Sequence, residues 1–69
     1  MKYAVLFEPT ETGYSAHVPD LPGCVAAGST LAGTTGSIRQ AISLHVARMH
    51  QDGEPIPEAR TIGEYIVAA

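Results

Sequence analysis

The 69-residue chain contains one cysteine and no tryptophan, so it has few means of reinforcing a small core. With Cys24 alone no internal disulfide can form, and no Cys/His spacing resembles that of a structural zinc site. A chain this short buries only about 60% of its extended surface on folding, which leaves little net stability. We therefore expect support from association with another chain, in a reduced, cytoplasmic compartment.

Positive charge and long apolar runs are also scarce. The four basic residues are scattered through a chain of net charge -3, which is a poor basis for neutralising phosphates. No apolar run approaches the roughly 20 residues of a membrane-spanning helix. We expect neither direct nucleic-acid binding nor a membrane partner.

Patterns that carry catalysis are missing as well. The sequence has no phosphate-binding glycine loop, no nucleophile elbow and no serine in a plausible triad. Glu8, Glu11 and Asp20 flank a predicted hairpin, where solvated turn carboxylates explain them better than a metal cluster does. Cys24 has no adjacent base or cation, which is typical of a small buried thiol. We predict no enzyme activity, no metal and no cofactor.

The most informative stretch is VPDLPGC at residues 18–24, which we call the elbow. Pro19 and Pro22 exclude a helix and favour extended backbone before each of them, and Pro22-Gly23 is a turn signal. Leu21 is the only large apolar side chain between the two prolines. It should fill either the core of its own chain or a pocket on a neighbour, and we favour the first.

Strand patterns surround the elbow, and a helical pattern follows it. Residues 2–8 and 14–18 alternate as strands joined by a loop of about five residues, and residues 24–27 predict a short third strand. Ser29-Thr30 supplies a hydroxyl cap, after which the period changes to 3.6 until Asp52-Gly53. The residues that share the predicted core face are Leu31, Thr34, Thr35, Ile38, Ala41, Ile42, His45 and Met49.

The tail, residues 61–69, is ambiguous. Thr61 and Glu64 have the spacing of a capping box, whereas Tyr65-Ile66-Val67 has the composition of a strand. We predict a turn and a fourth strand. The expected fold is then α+β, a single domain over residues 1–69 with an antiparallel β-β-β-α-β sheet and one helix on one face.

This architecture predicts self-association. One helix covers one face of a sheet, but the first strand is apolar on both sides, with Ala4 and Leu6 on the side that the helix cannot reach. We expect a second protomer to cover that side, giving a homo-oligomer, either a dimer or a tetramer. Leu44 falls on the helix flank and is either part of an interface or an ordinary exposed leucine.

The residues also resemble a known family, the HicB antitoxins of toxin-antitoxin systems. The matching segments are ETGYSA at 11–16, VPDLPGC at 18–24, GST at 28–30, AISLH at 41–45 and DGEPIP at 52–57. They follow the family's order and spacing over essentially the whole chain. The resemblance implies a partial ribonuclease H-like or double-stranded-RNA-binding-domain-like fold without a catalytic set, and it implies homo-oligomers.

The resemblance further implies a function, that of binding a HicA-like toxin, a small ribonuclease that cuts messenger RNA, and occluding its active surface. Many HicB antitoxins carry a C-terminal DNA-binding domain; we expect none in this chain, so the resemblance does not extend to autoregulation at an operator. Two alternatives stay open, an orphan oligomeric HicB-like module with an unrelated protein partner, and an enzyme or nucleic-acid binder. The residues to which we assign a structural or interface role are Ala4, Leu6, Pro19, Asp20, Leu21, Pro22, Gly23 and Leu44.

Overall fold

Three short strands and one long helix make up the fold. The computed structural model describes residues 2–68, with β1 at Leu6–Pro9, β2 at Tyr14–His17, β3 at Val25–Gly28 and α1 at Leu31–Gln51. The strands form one antiparallel sheet in the order β1-β2-β3, and α1 packs over β3 and β2. The predicted α+β class, with one helix on one face of an antiparallel sheet, is confirmed.

The first strand is shorter than predicted because its partner turns away. Leu6 pairs with His17, the last residue of β2. The next amide, that of Val18, donates to the Cys24 carbonyl at 3.1 Å and so belongs to the elbow. Residues 2–5 therefore have no partner strand for backbone hydrogen bonds, although Tyr3 and Val5 still pack against the core.

Two consecutive turns build the elbow. The Leu21 amide donates to the Val18 carbonyl at 3.0 Å, and the Cys24 amide donates to the Leu21 carbonyl at 3.0 Å. Gly23 has a φ of 83°, the left-handed value that the third position of a type II turn requires after proline. The predicted turn at Pro22-Gly23 is confirmed. Leu21, which lies between the two turns, is 0% exposed, in agreement with its predicted place in the core of its own chain.

Both ends of α1 follow the sequence signals. The Thr30 Oγ1 accepts a hydrogen bond from the Gly33 amide at 3.0 Å, and the Asp52 amide donates to the Arg48 carbonyl at 3.0 Å. Gly53 follows with a φ of 68°. Along the described residues, no helix combines the length and the apolar character that crossing a membrane requires.

The core lies between the sheet and the first half of α1. Ile38 and Thr34 are the buried helix residues, and the Thr34 hydroxyl is satisfied by donating to the Thr30 carbonyl at 2.7 Å. Gly28 permits this packing, because a Cβ there would lie 2.6 Å from the Thr34 Oγ1. The remaining buried apolar residues come from β2 and the elbow: Ala16, Val18, Leu21 and Cys24.

The predicted fourth strand is wrong for the described residues, since residues 54–68 form neither strand nor helix. The segment is held to the rest of the protein at two places. At the first, the Pro57 carbonyl accepts a hydrogen bond from the Tyr3 hydroxyl at 2.6 Å. Farther along, the Asp20 carboxylate binds the amides of Arg60 and Thr61. A strand is defined by pairing with a neighbour, and here the backbone donors go to a side chain instead. The alternative of a helix capped by Thr61 is not formed either.

Candidate interaction surface

The face of the sheet opposite α1 carries exposed apolar side chains. The strand register places Leu6, His17 and Val25 side by side across the three strands. Leu6 is 43% exposed and Val25 is 64% exposed, and His17 between them is half-buried. Sequence analysis identified Leu6 but not Val25. Alternation along the third strand could have found Val25, because Ala26 beside it faces the core.

An open cleft adjoins this face along β1. Its volume is about 580 Å³. Ala4, Leu6 and His17 contribute to the sheet side of the cleft, and Gly63 and Tyr65 of the tail contribute to the other side. The structure therefore brings together two predicted contact residues, Ala4 and Leu6, with a tail segment that sequence analysis had placed in a strand.

Asp20 holds the tail to the elbow through three hydrogen bonds, and we call Asp20, Arg60 and Thr61 the Asp20 cluster. The Oδ2 atom accepts from the amides of Arg60 and Thr61, both at 2.8 Å, and the Oδ1 atom accepts from the Thr61 hydroxyl at 2.8 Å. Hydrogen bonds from the Thr61 amide and hydroxyl lower the pKa of the Asp20 carboxyl below its ordinary value. Sequence analysis interpreted Asp20 as a solvated turn carboxylate, since a contact across 41 positions leaves no local signal.

Removing the Asp20 carboxylate should free the tail without unfolding the core. In Asp20→Ala the amides of Arg60 and Thr61 lose their acceptor, so we expect faster hydrogen exchange at those amides and faster proteolysis of residues 60–68. Glu11→Ala is the matched control, because Glu11 is an exposed turn carboxylate. Equal exchange rates in the two variants would contradict the role of Asp20.

Acid should have the same effect as the substitution. Because folding lowers the Asp20 pKa from 3.8, the folded state favours the carboxylate, and this contribution is fully present above that value. It is lost as the pH falls through the lowered, folded-state pKa. Amide exchange of Thr61, corrected for the intrinsic pH dependence, should therefore accelerate in the wild type below about pH 4 and stay constant in Asp20→Ala.

Of the other residues with a predicted structural or interface role, one is buried in the core and the rest are half-buried or exposed. Leu21 is buried and supports the elbow from inside, whereas Pro22 and Gly23 lie exposed on its rim and Pro19 is half-buried. Leu44, on α1, is 62% exposed. The structure does not assemble these residues into a catalytic site, and it leaves the elbow rim and Leu44 free for contact.

The titratable side chains of residues 2–68 form no group that could hold a metal ion, and the single thiol is not activated. Among residues 2–68 no three His, Cys, Asp or Glu side chains are grouped so that they could hold a metal ion. Cys24 is 3% exposed, and its burial raises the pKa of the thiol, which disfavours the reactive thiolate.

Comparison with known proteins gives three findings. The family described as "HicB_like antitoxin of bacterial toxin-antitoxin system" matches residues 3–69. An uncharacterized 14.9 kDa protein in the rep-hol intergenic region of Haemophilus phage HP1 is 39% identical over 66 residues, covering 96% of this chain and 50% of that protein. The chain thus spans about half the length of this curated relative. A chain in the solved structure titled "HicA3 and HicB3 toxin-antitoxin complex" superposes with a TM-score of 0.75 at 27% identity, covering 87% of this chain and 70% of that chain.

Proposed function

Because the chain belongs to the HicB-like antitoxin family of bacterial toxin-antitoxin systems, we propose that it binds a HicA-like, messenger-RNA-cleaving toxin in the cytoplasm and covers its active surface. The family is one of non-catalytic binding modules. The observation that carries the proposal is the likeness to a chain of a HicA3-HicB3 complex, which extends over most of the fold. Inhibition of this kind requires complementary shape and charge, and no reacting group.

The charge of the chain supports this pairing. Seven acidic residues against four basic ones give a net charge of -3. A toxin that binds RNA needs a positive surface to neutralise phosphates, and an acidic partner approaches such a surface faster than a neutral one does. We therefore expect the association rate with the toxin to fall as salt concentration rises.

We propose two groups of contact residues. The first is the elbow rim, Pro19, Pro22 and Gly23, which the buried Leu21 and the Asp20 cluster hold in place. The second is Leu44 on α1, a leucine whose side chain is 62% exposed. We assign Leu6, on the outer sheet face, and Ala4, which precedes β1 and lines the cleft beside it, to contact between copies of this chain in a homo-oligomer.

Co-expression with a HicA-like toxin encoded beside this chain tests the proposal. We expect toxin expression to stop growth and co-expression of this chain to restore it. In vitro, purified chain added in equimolar amount should abolish cleavage of an RNA substrate, and Leu44→Asp should weaken that inhibition by at least about tenfold if it buries a charge in the interface.

Gln40→Asp is the matched control, since it adds the same charge at another exposed helix position. A folded chain that neither binds nor inhibits the toxin would refute the proposal and favour an orphan binding module. Cleavage of RNA by the purified chain alone would refute both.

A further inference from the structure

Asp20 has the least restrained backbone in the first turn of the elbow. The Leu21 amide closes this turn on the Val18 carbonyl, so Pro19 and Asp20 are its two central residues. The ring of Pro19 fixes its φ, and Leu21 is held by its burial, being 0% exposed. The φ and ψ of Asp20 are therefore the angles of this turn that neither a ring nor the core restrains.

The tail supplies the missing restraint. The Asp20 carboxylate accepts three hydrogen bonds, each of 2.8 Å, of which two come from Thr61 and one from the Arg60 amide. Both carboxylate oxygens are engaged, so the group is fixed in direction as well as in position. The aspartate side chain is short, and movement of its backbone must stretch these bonds. Thr61 thus restrains the first turn from 41 positions away.

Little else opposes release of this contact. Beyond Thr61 the side chains of Ile62, Ile66 and Val67 are 84%, 86% and 95% exposed. Toward the helix, the next hydrogen bond that holds the tail is the one from the Tyr3 hydroxyl to the Pro57 carbonyl. Segments with so few buried contacts open locally at low free-energy cost, while the core stays closed.

We propose that Thr61 is a positioning residue for the elbow rim, and that the tail and the toxin-binding surface are thereby coupled. With Thr61 bound to Asp20 the first turn presents Pro19 and Pro22 in one arrangement, and with the contact open the turn samples several. A toxin that binds one arrangement binds the closed form more tightly. Coupling of this kind is reciprocal, so bound toxin also holds Thr61 in place. This inference rests on the proposed function, which assigns the rim to the toxin.

Amide hydrogen exchange of the free chain tests the restraint. Thr61→Val keeps the size of the side chain and removes its donor, so the Leu21 amide should exchange about fivefold faster than in the wild type. Thr61→Ser retains the donor and should restore the wild-type rate. The Ile38 amide, within α1, is the internal reference and should exchange equally in all three chains.

Titration with the HicA-like toxin encoded beside this chain tests the coupling. Thr61→Val should weaken binding by about fivefold or more, and Thr61→Ser by less than about twofold. Saturating the wild type with toxin should slow exchange of the Thr61 amide. Thr12→Val is the matched control, since Thr12 is an exposed threonine in the loop between β1 and β2, and it should change neither binding nor exchange.

Thr61→Asp separates positioning from charge. It places a second carboxylate beside that of Asp20, which opens the contact by repulsion of like charges. The added negative charge by itself favours association with a basic toxin. We expect binding to weaken more than in Thr61→Val despite that charge. Thr12→Asp, with the same charge away from the elbow, should leave binding unchanged or strengthen it.

The two parts of the test fail in different ways. An unchanged Leu21 exchange rate in Thr61→Val would overturn the proposal, because the tail would then not restrain the elbow. Faster exchange with unchanged toxin affinity would overturn the coupling and leave the proposed function intact. Stronger binding by Thr61→Asp than by Thr12→Asp would also overturn it. A wild-type chain that does not bind the toxin would refute the proposed function and the coupling together.

Discussion

Leu21→Ala is expected to lower the free energy of unfolding by about 2–5 kcal/mol. Leu21 is completely buried, and two hydrogen-bonded turns fix the backbone on either side of it. With Pro22 next to it and Gly23 in a left-handed conformation, the elbow has little freedom to close the cavity that the shorter side chain leaves. Urea denaturation at fixed protein concentration measures the loss, with the slope expected to stay constant.

Leu44→Ala provides the control for this substitution. It removes the same atoms from a side chain that is 62% exposed, so we expect a change within about 0.5 kcal/mol. Comparable losses in the two variants would contradict the assignment of the effect to burial of Leu21. An unchanged midpoint for Leu21→Ala would place Leu21 outside the core.

Gly13→Ala is expected to destabilise the chain by about 1–3 kcal/mol or more, through overpacking. Gly13 precedes β2, and a Cβ there would lie 2.1 Å from the Gly28 carbonyl oxygen and 2.7 Å from the Ser29 Cα. Both obstacles are backbone atoms, in the short link between β3 and the cap of α1. Relief of the clash must displace this link, and with it the close approach of Gly28 to Thr34. Thermal and urea denaturation should both report the loss.

Gly36→Ala is the matched control and should have the opposite sign. Gly36 lies inside α1, and a Cβ there would have nothing within 4 Å. Alanine should therefore stabilise the helix by about 0.5–1 kcal/mol. Destabilisation by both substitutions, or by neither, would contradict the steric argument at Gly13.

Local signals were enough to predict much of the fold. The turn at Pro22-Gly23 and the two ends of α1 depend on residues close to one another in sequence, through fixed φ, a hydroxyl cap and a terminal glycine. Periodicity likewise placed Ile38 and Thr34 on the buried side of the helix, and alternation placed Leu6 on the exposed side of the sheet. The resemblance to the HicB family came from the same short segments.

Contacts between distant segments were not predictable in this way. The first strand begins only at Leu6. Val18, which follows the last paired residue of β2, donates its amide to the Cys24 carbonyl within the elbow and is not paired with β1. The bond between Asp20 and Thr61 joins positions 41 apart, and it turns a residue interpreted as a solvated carboxylate into the anchor of the tail. The composition of residues 65–67 indicated a strand, but composition does not supply the neighbour that a strand needs.

The sequence by itself determined the order of the three strands and the helix, the elbow and helix boundaries, and the family to which the chain is related, because each depends on local backbone preference or on a linear motif. Only the tertiary structure decided where β1 starts, which side chain holds the tail, and that residues 63–65 line a cleft beside β1. The physical reason is that hydrogen-bond pairing and burial are properties of two segments together, and one segment alone cannot specify its partner.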